Sequence, residues 1–217
     1  MKILLTGATG YIGKRLLPVL VENGHEVVCC VRDLNRFIIP QSLKLKVSAI
    51  EVDLSNLTSL SKIPQDIEAG YYLVHSMAKK DYLKTELDCA VNFRESLAKT
   101  NIKHLIYLSG IVNEKTLSKH LISRRNVEQE LSKGKYNFTS IRSGIIIGSE
   151  SASFEIIRDL VEKLPIMVAP KWLLTKSQPI AISDVIKILN NTLGNSKTFN
   201  KNFDIGGPEI ISYKDIL

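Results

Sequence analysis

Three glycines spaced three residues apart, directly after the first apolar segment, constrain this chain more than any other feature. Segment 2–5 is apolar enough for a buried strand, segment 6–13 reads TGATGYIG, and apolar residues then recur at helical spacing from Ile12 to Leu20, with Gly24 placed to end the helix. A tight turn from a strand into a helix needs φ angles that glycine reaches at low cost, and bare backbone lets a phosphate group approach closely. The sequence therefore predicts a strand, a tight turn and a helix whose N-terminus holds an anion.

The same turn predicts the class of ligand. Its Gly-x-x-Gly-x-x-Gly spacing differs from the Gly-x-Gly-x-x-Gly of many dinucleotide-binding loops, but its strand–turn–helix context is the one that such loops require. We therefore expect the pyrophosphate of a nicotinamide dinucleotide to bind at this turn. The residues expected to form this part of the site are Gly7, Thr9, Gly10, Tyr11, Ile12 and Gly13.

The rest of the chain alternates short apolar segments with amphipathic ones. Strands are predicted at 2–5, 26–31, 47–52, 70–74, 104–108 and 138–142. A long helix is predicted around 82–99, and its buried face is expected to carry Leu83, Leu87, Val91 and Leu97. A further helix contains Val127 and Leu131 and ends by Gly134. This order predicts an α/β fold of the Rossmann type, a doubly wound parallel sheet with helices on both sides.

The alternation becomes looser after Gly148. Helices are predicted at 154–164, before Pro165, and at 183–189, and the pattern Ser212-x-x-Asp215 indicates a helix N-terminus. A chain of 217 residues fits one large domain. We expect a single NAD(P)-binding domain over 1–217, with a dinucleotide-binding core at 1–148 and a small irregular substrate or lid region at 149–217, cut short before a further C-terminal domain.

The composition narrows the environment and the partners. Hydrophobic residues make up 44% and charged residues 24%, and the net charge of +7 is scattered along the chain without a basic stripe. We therefore expect no nucleic acid and no membrane as partners, and the apolar start is too short for a signal peptide. The three cysteines (Cys29, Cys30 and Cys89) lack metal-binding spacing, so we expect a cytoplasmic protein with reduced, buried thiols and no metal. Cys29 and Cys30 should point to opposite faces of a strand.

The choice between NAD and NADP depends on the end of the second strand. A NAD site needs a carboxylate there for the ribose hydroxyls, whereas a 2′-phosphate needs a cation. Arg32 follows the apolar strand end and Arg36 lies one helical turn further on, although Asp33 lies next to Arg32 and would repel a phosphate. We predict NADP as the cofactor, bound through Arg32, with NAD as the alternative.

These motifs resemble the short-chain dehydrogenase/reductase superfamily, in its extended and atypical branches, over essentially the whole chain. Besides the glycine turn, the matching segments are RSGIIIG at 142–148, PIAISDV at 179–185 and FDIGGP at 203–208. More narrowly, YLVHSM at 72–77 and SRR at 123–125 resemble a bacterial subgroup of NmrA-like, nucleoside-diphosphate-sugar-epimerase-like proteins.

The resemblance implies that Asp53 and Leu54 lie near the adenine. His75 and Ser76 follow the fourth predicted strand, at the sheet edge where open α/β sheets bind ligands, so we expect them on the nicotinamide-ribose side. For His75 the ordinary alternative is a histidine packed at a strand end.

The resemblance also indicates the reacting residues. Catalytic members of the superfamily use a Tyr-x-x-x-Lys pair, with a Ser or Thr at the end of the preceding strand. Ser109 takes the place of the serine here, but His120 stands at the tyrosine position and Arg124 at the lysine position. His120 is then either a proton-transfer group or an exposed loop histidine, and Arg124 can hold the ribose but cannot release its proton.

Two functions follow from these observations. The first is an NADP-linked oxidoreductase or epimerase-like enzyme with an unknown small-molecule substrate, for which segment 165–179 forms a lid and Trp172 walls the pocket. The second is a non-catalytic NADP-binding sensor or regulator that acts through a protein partner or a homo-oligomer, which the loss of the Tyr-x-x-x-Lys pair favours. In either case we expect little turnover of standard sugar nucleotides.

Overall fold

A computed structural model describes residues 1–75, 81–112, 118–151 and 174–216. Its strands are β1 (Lys2–Thr6), β2 (Glu26–Val31), β3 (Val47–Glu51), β4 (Ala69–Tyr72), β5 (His104–Gly110), β6 (Asn137–Ser143), β7 (Ile146–Ile147), β8 (Lys176–Ser177), β9 (Ile180–Ala181), β10 (Lys201–Ile205) and β11 (Ile211–Ser212). Its helices are α1 (Tyr11–Glu22), α2 (Leu57–Leu60), α3 (Tyr82–Leu97), α4 (Lys119–Leu131), α5 (Ile182–Thr192) and α6 (Tyr213–Ile216).

Seven of these strands pair in parallel in one sheet, in the order β10-β6-β5-β4-β1-β2-β3. The chain builds from β1 to β3 on one side and then crosses back to build from β4 to β10 on the other. The strands β1 and β4 are parallel neighbours, but the connection after β1 runs toward one edge of the sheet and the connection after β4 toward the other. The crevice between these connections, at the carboxyl ends of the two strands, is where open α/β sheets bind ligands. The predicted Rossmann-type α/β fold is confirmed.

The six predicted strands match β1 to β6 to within two residues at each end, but the seventh strand, β10, was not predicted. It pairs with β6 at the edge of the sheet, and its residues Lys201, Asn202 and Asp204 are exposed. Only Phe203 and Ile205 are half-buried. The apolar signal of this strand is therefore too weak to stand out from a loop.

Two apolar clusters cover the opposite faces of the sheet. Successive residues of a strand point to opposite faces of the sheet and so pack in different clusters. Cys29 packs in one cluster and Cys30 in the other, both as free thiols. Burial raises the pKa of Cys29 to about 12 and that of Cys30 in the same direction. The prediction of buried thiols on opposite faces is confirmed for this pair.

The buried face of α3 differs from the predicted one. The residues that it buries are Glu86, Ala90, Phe93 and Leu97, whereas the predicted Leu83, Leu87 and Val91 are only half-buried. The prediction was wrong except for Leu97, because an apolar pattern cannot anticipate a carboxylate on the inner face. Glu86 is tolerated there since other side chains pair with it, as described below.

The helix ends follow local chemistry. Gly24 has φ +81° after α1, and its N–H donates to the Val21 carbonyl at 2.9 Å, as expected for a glycine that ends a helix. At the predicted helix start in the last segment, Ser212 N–H donates to the Asp215 carboxylate at 3.0 Å and Asp215 N–H donates to Ser212 Oγ at 3.2 Å. This reciprocal capping confirms the start of α6.

Two further helices lie close to their predicted positions. α4 buries Val127 and Leu131 and ends at Leu131, before Gly134. α5 begins at Ile182, one residue before the predicted start, and runs on to Thr192.

Several predictions fall outside the described residues. These concern the helix at 154–164, Trp172, Ser76 and most of the proposed lid. Within the described ranges, none of the helices combines the length and the apolar character that spanning a membrane requires.

Candidate functional site

The three glycines of the turn between β1 and α1 have different tasks. Gly7 has φ +73°, and a Cβ there would lie 2.7 Å from the Leu73 carbonyl oxygen. A Cβ at Gly13 would lie 2.2 Å from the carbonyl oxygen of Gly7, so these two glycines are required by packing. Gly10 is exposed, has ordinary extended backbone (φ −80°, ψ 171°), and its Cβ would meet only Gly7 O, at 3.2 Å. Gly10 therefore leaves open space for a ligand.

A cavity of about 870 Å³ opens beside this turn, at the carboxyl ends of β1, β4, β5 and β6. The predicted site residues that line it are Gly7, Gly10, Tyr11, Ile12, Gly13, His75, Ser109, His120 and Arg124. The C-terminal part of the chain adds Lys176, Gln178 and Tyr213 to the same wall. Its volume lies within the range of small-molecule and cofactor sites. The fold thus brings the glycine turn and the three predicted catalytic residues to one cavity.

Buried polar atoms without hydrogen-bond partners converge on this cavity. Across the described residues, the side-chain atoms of this kind are Tyr11 OH, His75 Nε2, Ser109 Oγ, His120 Nδ1 and Arg124 Nε. All of these residues line the cavity. Because buried polar groups in folded proteins are almost always hydrogen-bonded, this arrangement fits a polar ligand that would supply the partners.

Arg124 is anchored in the floor of the cavity. Its Nη1 donates to the Leu108 carbonyl oxygen at 2.9 Å, at the end of β5. Tyr107 on the same strand donates its hydroxyl to the Arg124 carbonyl at 3.5 Å, but it is 1% exposed and burial raises its pKa. Tyr107 therefore does not replace the tyrosine that catalytic relatives carry.

His120 lies in the first turn of α4, where Ser118 caps the helix by accepting a hydrogen bond from Leu121 N–H at 3.3 Å. The side chain is half-buried in the cavity wall, so the interpretation as an exposed loop histidine does not hold. Burial lowers the pKa of His120, Arg124 and His75 lower it further, and Glu86 opposes them. The imidazole is therefore neutral at pH 7.

His75 is a second histidine in the cavity wall, and its ring contacts that of His120. The rings of His75 and His120 pack edge to face with their centroids 4.6 Å apart. His75 Nδ1 lies 2.7 Å from Oε1 of the buried Glu86, and Ser123 donates its hydroxyl to the other oxygen of that carboxylate. His75 is thus a packed residue at the end of a strand and a residue of the cavity wall at the same time.

The predicted NADP-selecting residue lies in a second cavity, of about 860 Å³, on the other side of the glycine turn. Arg32 lines this cavity together with Thr9, Lys14 and Arg36, so three cations face the same space. Asp33 lines it too, but its carboxylate accepts a hydrogen bond from Asn35 N–H at 2.9 Å and caps a short helical turn. Asp33, the acid next to Arg32, is therefore engaged locally, and Glu22 is a second acid in the lining of this cavity.

The two residues predicted near the adenine lie apart from both cavities. Asp53 accepts hydrogen bonds from the backbone N–H and hydroxyl of Ser55, at 2.9 and 2.7 Å. Leu54 packs in the core, and its carbonyl accepts a hydrogen bond from Asn92 at 3.1 Å. Their role as adenine contacts stays a prediction.

Sequence reasoning missed Glu86, Ser123 and Lys14. Glu86 carried a weak signal in the sequence. It lies at helical spacing before Ala90, Phe93 and Leu97, so a carboxylate occupies a position on the helix face where an apolar residue is expected. Ser123 lies in the segment SRR that carries the resemblance, but nothing in the sequence indicated that it or Lys14 lines or supports a cavity, because a serine or a lysine on a helix is ordinarily exposed.

Three similar proteins illustrate the relationships. Divinyl chlorophyllide a 8-vinyl-reductase of Arabidopsis thaliana is 22% identical over 96% of this chain, and the match covers 54% of that protein. Photosystem II assembly factor Ycf39 of Cyanophora paradoxa is 24% identical over 100% of this chain and 67% of its own length. The crystal structure of UDP-glucuronic acid 4-epimerase from Bacillus cereus in complex with NAD superposes with a TM-score of 0.79, at 25% identity, over 100% of this chain and 80% of that one.

This chain thus spans about half the length of the reductase. A family model described as NAD(P)H-binding matches residues 7–163, which is most of the chain and includes the three glycines of the turn and most of the residues that line the first cavity. Open space at Gly10 and the unpartnered polar atoms around it fit such a ligand. The chain therefore belongs to the NAD(P)H-binding family, as a Rossmann protein of the short-chain dehydrogenase/reductase and epimerase kind.

Proposed function

We propose that this protein is an NADP-linked oxidoreductase that moves a hydride to or from a small carbonyl or hydroxyl substrate. The proposal rests on the buried, unpartnered polar atoms of Ser109 and Arg124 and on the His120 imidazole, which line one cavity beside the glycine turn. A hydroxyl, an imidazole and a guanidinium at one cavity supply what hydride transfer needs from a protein, namely hydrogen bonds, a proton carrier and a ribose contact. The similarity to a reductase and to an epimerase crystallised with NAD supports it.

Each residue has one task in this proposal. Backbone N–H groups at the start of α1 bind the pyrophosphate, and Arg124, anchored to the Leu108 carbonyl, contacts ribose hydroxyls. The bound nicotinamide supplies or accepts the hydride. Ser109 donates a hydrogen bond to the substrate oxygen, and His120 gives or takes the proton there. Since neutral His120 accepts a proton, alcohol oxidation proceeds at pH 7, whereas reduction needs the imidazolium and is favoured at lower pH.

The first test is turnover by the wild-type protein in both directions: oxidation of NADPH with a panel of small aldehydes, ketones and enones below pH 7, and reduction of NADP with the corresponding alcohols at pH 7. His120→Asn is expected to lower kcat by about 10²- to 10⁴-fold, the usual contribution of a proton-transfer residue, with NADPH affinity unchanged. His25→Asn is the matched control, because His25 lies near the chain start and outside the cavity. Tight NADPH binding with no turnover of any compound would contradict the proposal and support a non-catalytic sensor.

Cofactor choice gives a second test, because Arg32 faces the cavity that also holds Lys14 and Arg36. Arg32→Ala is expected to weaken NADPH binding about 10- to 100-fold, since a charge-assisted contact to the 2′-phosphate contributes about 1.5–3 kcal/mol. NADH lacks that phosphate and should bind equally well to both proteins. Titrations of both cofactors measure this, with Lys44→Ala as an exposed control cation outside the cavity. Equal losses for both cofactors would show that Arg32 does not read the 2′-phosphate.

A further inference from the structure

Glu86 is a carboxylate on the buried face of α3, a costly position for a charge unless partners surround it. Both of its oxygens are engaged, since Ser123 of α4 donates to Oε2 and His75 Nδ1 lies 2.7 Å from Oε1. The side chain of Glu86 is 9% exposed and that of His75 is 19% exposed. Because the three residues come from α3, from α4 and from the segment after β4, the packing of these elements fixes the carboxylate behind His75.

The carboxylate decides which nitrogen of His75 carries the proton. An ionised carboxylate only accepts hydrogen bonds, so Nδ1 of His75 must be the protonated nitrogen that donates to Glu86. In the neutral ring, Nε2 then keeps its lone pair as an acceptor. This Nε2 is buried without a hydrogen-bond partner, and so is Nδ1 of His120, whose ring packs against that of His75. The two nitrogens are not hydrogen-bonded in the edge-to-face packing of the rings, but a rotation that brings His120 Nδ1–H to His75 Nε2 would satisfy both atoms.

We propose that Glu86, His75 and His120 form a proton relay in which Glu86 orients His75, His75 accepts a hydrogen bond from His120 Nδ1, and Nε2 of His120 is left to face the substrate. The relay rests on the proposed function, because it supplies the proton path of that reaction. His120 is the catalytic residue, while Glu86 and His75 are positioning residues that act through it. Ser123 holds Glu86 in place.

The steps balance in both directions. In alcohol oxidation the substrate O–H bond breaks, its proton passes to Nε2 of His120, and the hydride leaves the carbon for the oxidised dinucleotide, so that a carbonyl forms. The Nδ1 proton of His120 passes to Nε2 of His75, and the positive charge comes to lie beside Glu86. In reduction the proton returns along the same path to the new hydroxyl.

Charges around His120 agree with a relay that moves the proton away from it. Burial is the largest cause that lowers the pKa of His120. Arg124, one turn along the same helix, and His75, in the segment after β4, lower it further, whereas Glu86 on α3 raises it. A proton on His120 is thus disfavoured by its neighbours, and a proton on His75 lies against the carboxylate.

The test is the substitution Glu86→Gln, which removes the negative charge of the side chain and keeps its shape. In Glu86→Gln the amide oxygen can still accept from Ser123, which turns the amide NH₂ toward Nδ1 of His75. His75 must then carry its proton on Nε2 and donate to His120, so both rings are expected to change from the Nδ1–H to the Nε2–H tautomer. Nitrogen NMR of the imidazoles at alkaline pH reads this directly, and the chain has four histidines to assign. The expected fall in kcat is about 10²-fold or more, with KM and NADPH affinity near wild type.

Glu130→Gln is the matched control. Glu130 is also buried, at 7% exposure, and is paired with Arg94 at 2.8 Å, but it lies outside the cavity. Its substitution should leave both tautomers and kcat unchanged. If Glu86→Gln fails to fold, His75→Phe replaces it, because a phenyl ring offers His120 Nδ1 no hydrogen-bond acceptor in its plane and should no longer hold His120 in the Nδ1–H tautomer.

The outcomes separate the relay from the proposed function. A change at His75 with none at His120, or an Nε2–H tautomer of His120 in the wild type, would overturn the relay. So would an active Glu86→Gln enzyme with the kcat of the Glu130→Gln control. Absence of turnover in the wild type would instead overturn the proposed function, and the two tautomers would still decide whether the hydrogen-bond chain exists.

Discussion

The substitution Gly10→Val is expected to abolish NAD(P) binding and to leave the fold intact. Gly10 lines the cavity, is exposed, and has φ and ψ values that valine adopts readily. The nearest atom to an added Cβ is the Gly7 carbonyl oxygen at 3.2 Å, a tight contact that a small shift relieves. The valine methyl groups would fill the space that the pyrophosphate needs. Losing even two charge-assisted hydrogen bonds would cost about 3 kcal/mol or more, which is at least about 100-fold in affinity.

Gly13→Ala provides the opposite case in the same turn. Its Cβ would lie 2.2 Å from the Gly7 carbonyl oxygen and 2.8 Å from the Ala8 Cα, both backbone atoms that cannot move aside without displacing α1. We expect this variant to lose much stability in denaturant unfolding, whereas Gly10→Val should lose far less, since only the N-cap preference of α1 and one contact at 3.2 Å oppose the valine. NADPH and NADH titrations complete the comparison. Wild-type affinity in Gly10→Val would mean that the dinucleotide does not approach this turn.

The fold was largely predictable because the buried strands are read directly from the sequence. In a parallel sheet that is covered on both faces, central strands such as Glu26–Val31 are continuous apolar segments with sharp ends. The edge strand Lys201–Ile205 has one strand neighbour and three exposed polar residues, so the same reading fails there. What escapes prediction is thus the element with the least buried surface.

The site was predictable where local chain geometry determines it, as in the glycine turn and in the spacing of His120 and Arg124. It was not predictable where residues distant in sequence meet. Glu86 contacts Ser123, 37 residues away, and nothing in either segment indicates the other. The wrong face predicted for α3 has the same origin, since the carboxylate that breaks the apolar pattern is stabilised by partners on other elements.

A further expectation concerns the amino ends of the strands, away from the first cavity, where His104 is the first residue of β5. His104 is 2% exposed, and its Nδ1 accepts a hydrogen bond from the backbone N–H of Gly194 at 3.1 Å, while Nε2 lies 2.9 Å from Thr139 Oγ1. A ring that accepts at Nδ1 must be neutral, and a proton added there would face the Gly194 N–H. Burial accordingly lowers the pKa of His104 from 6.5 to about 4.

This pKa makes the stability of the fold depend on pH. Between about pH 6.5 and pH 4 the unfolded chain binds a proton at His104 and the folded protein does not, so the free energy of unfolding falls as the pH falls. The loss from this residue reaches about 3 kcal/mol at pH 4 and is absent above about pH 6.5. His104→Asn keeps an acceptor near Gly194 but cannot titrate. We expect it to be less stable than the wild type at pH 7, with the difference shrinking by about that amount toward pH 4 in denaturant unfolding. Parallel stability curves for the two proteins would show that His104 titrates normally in the folded state.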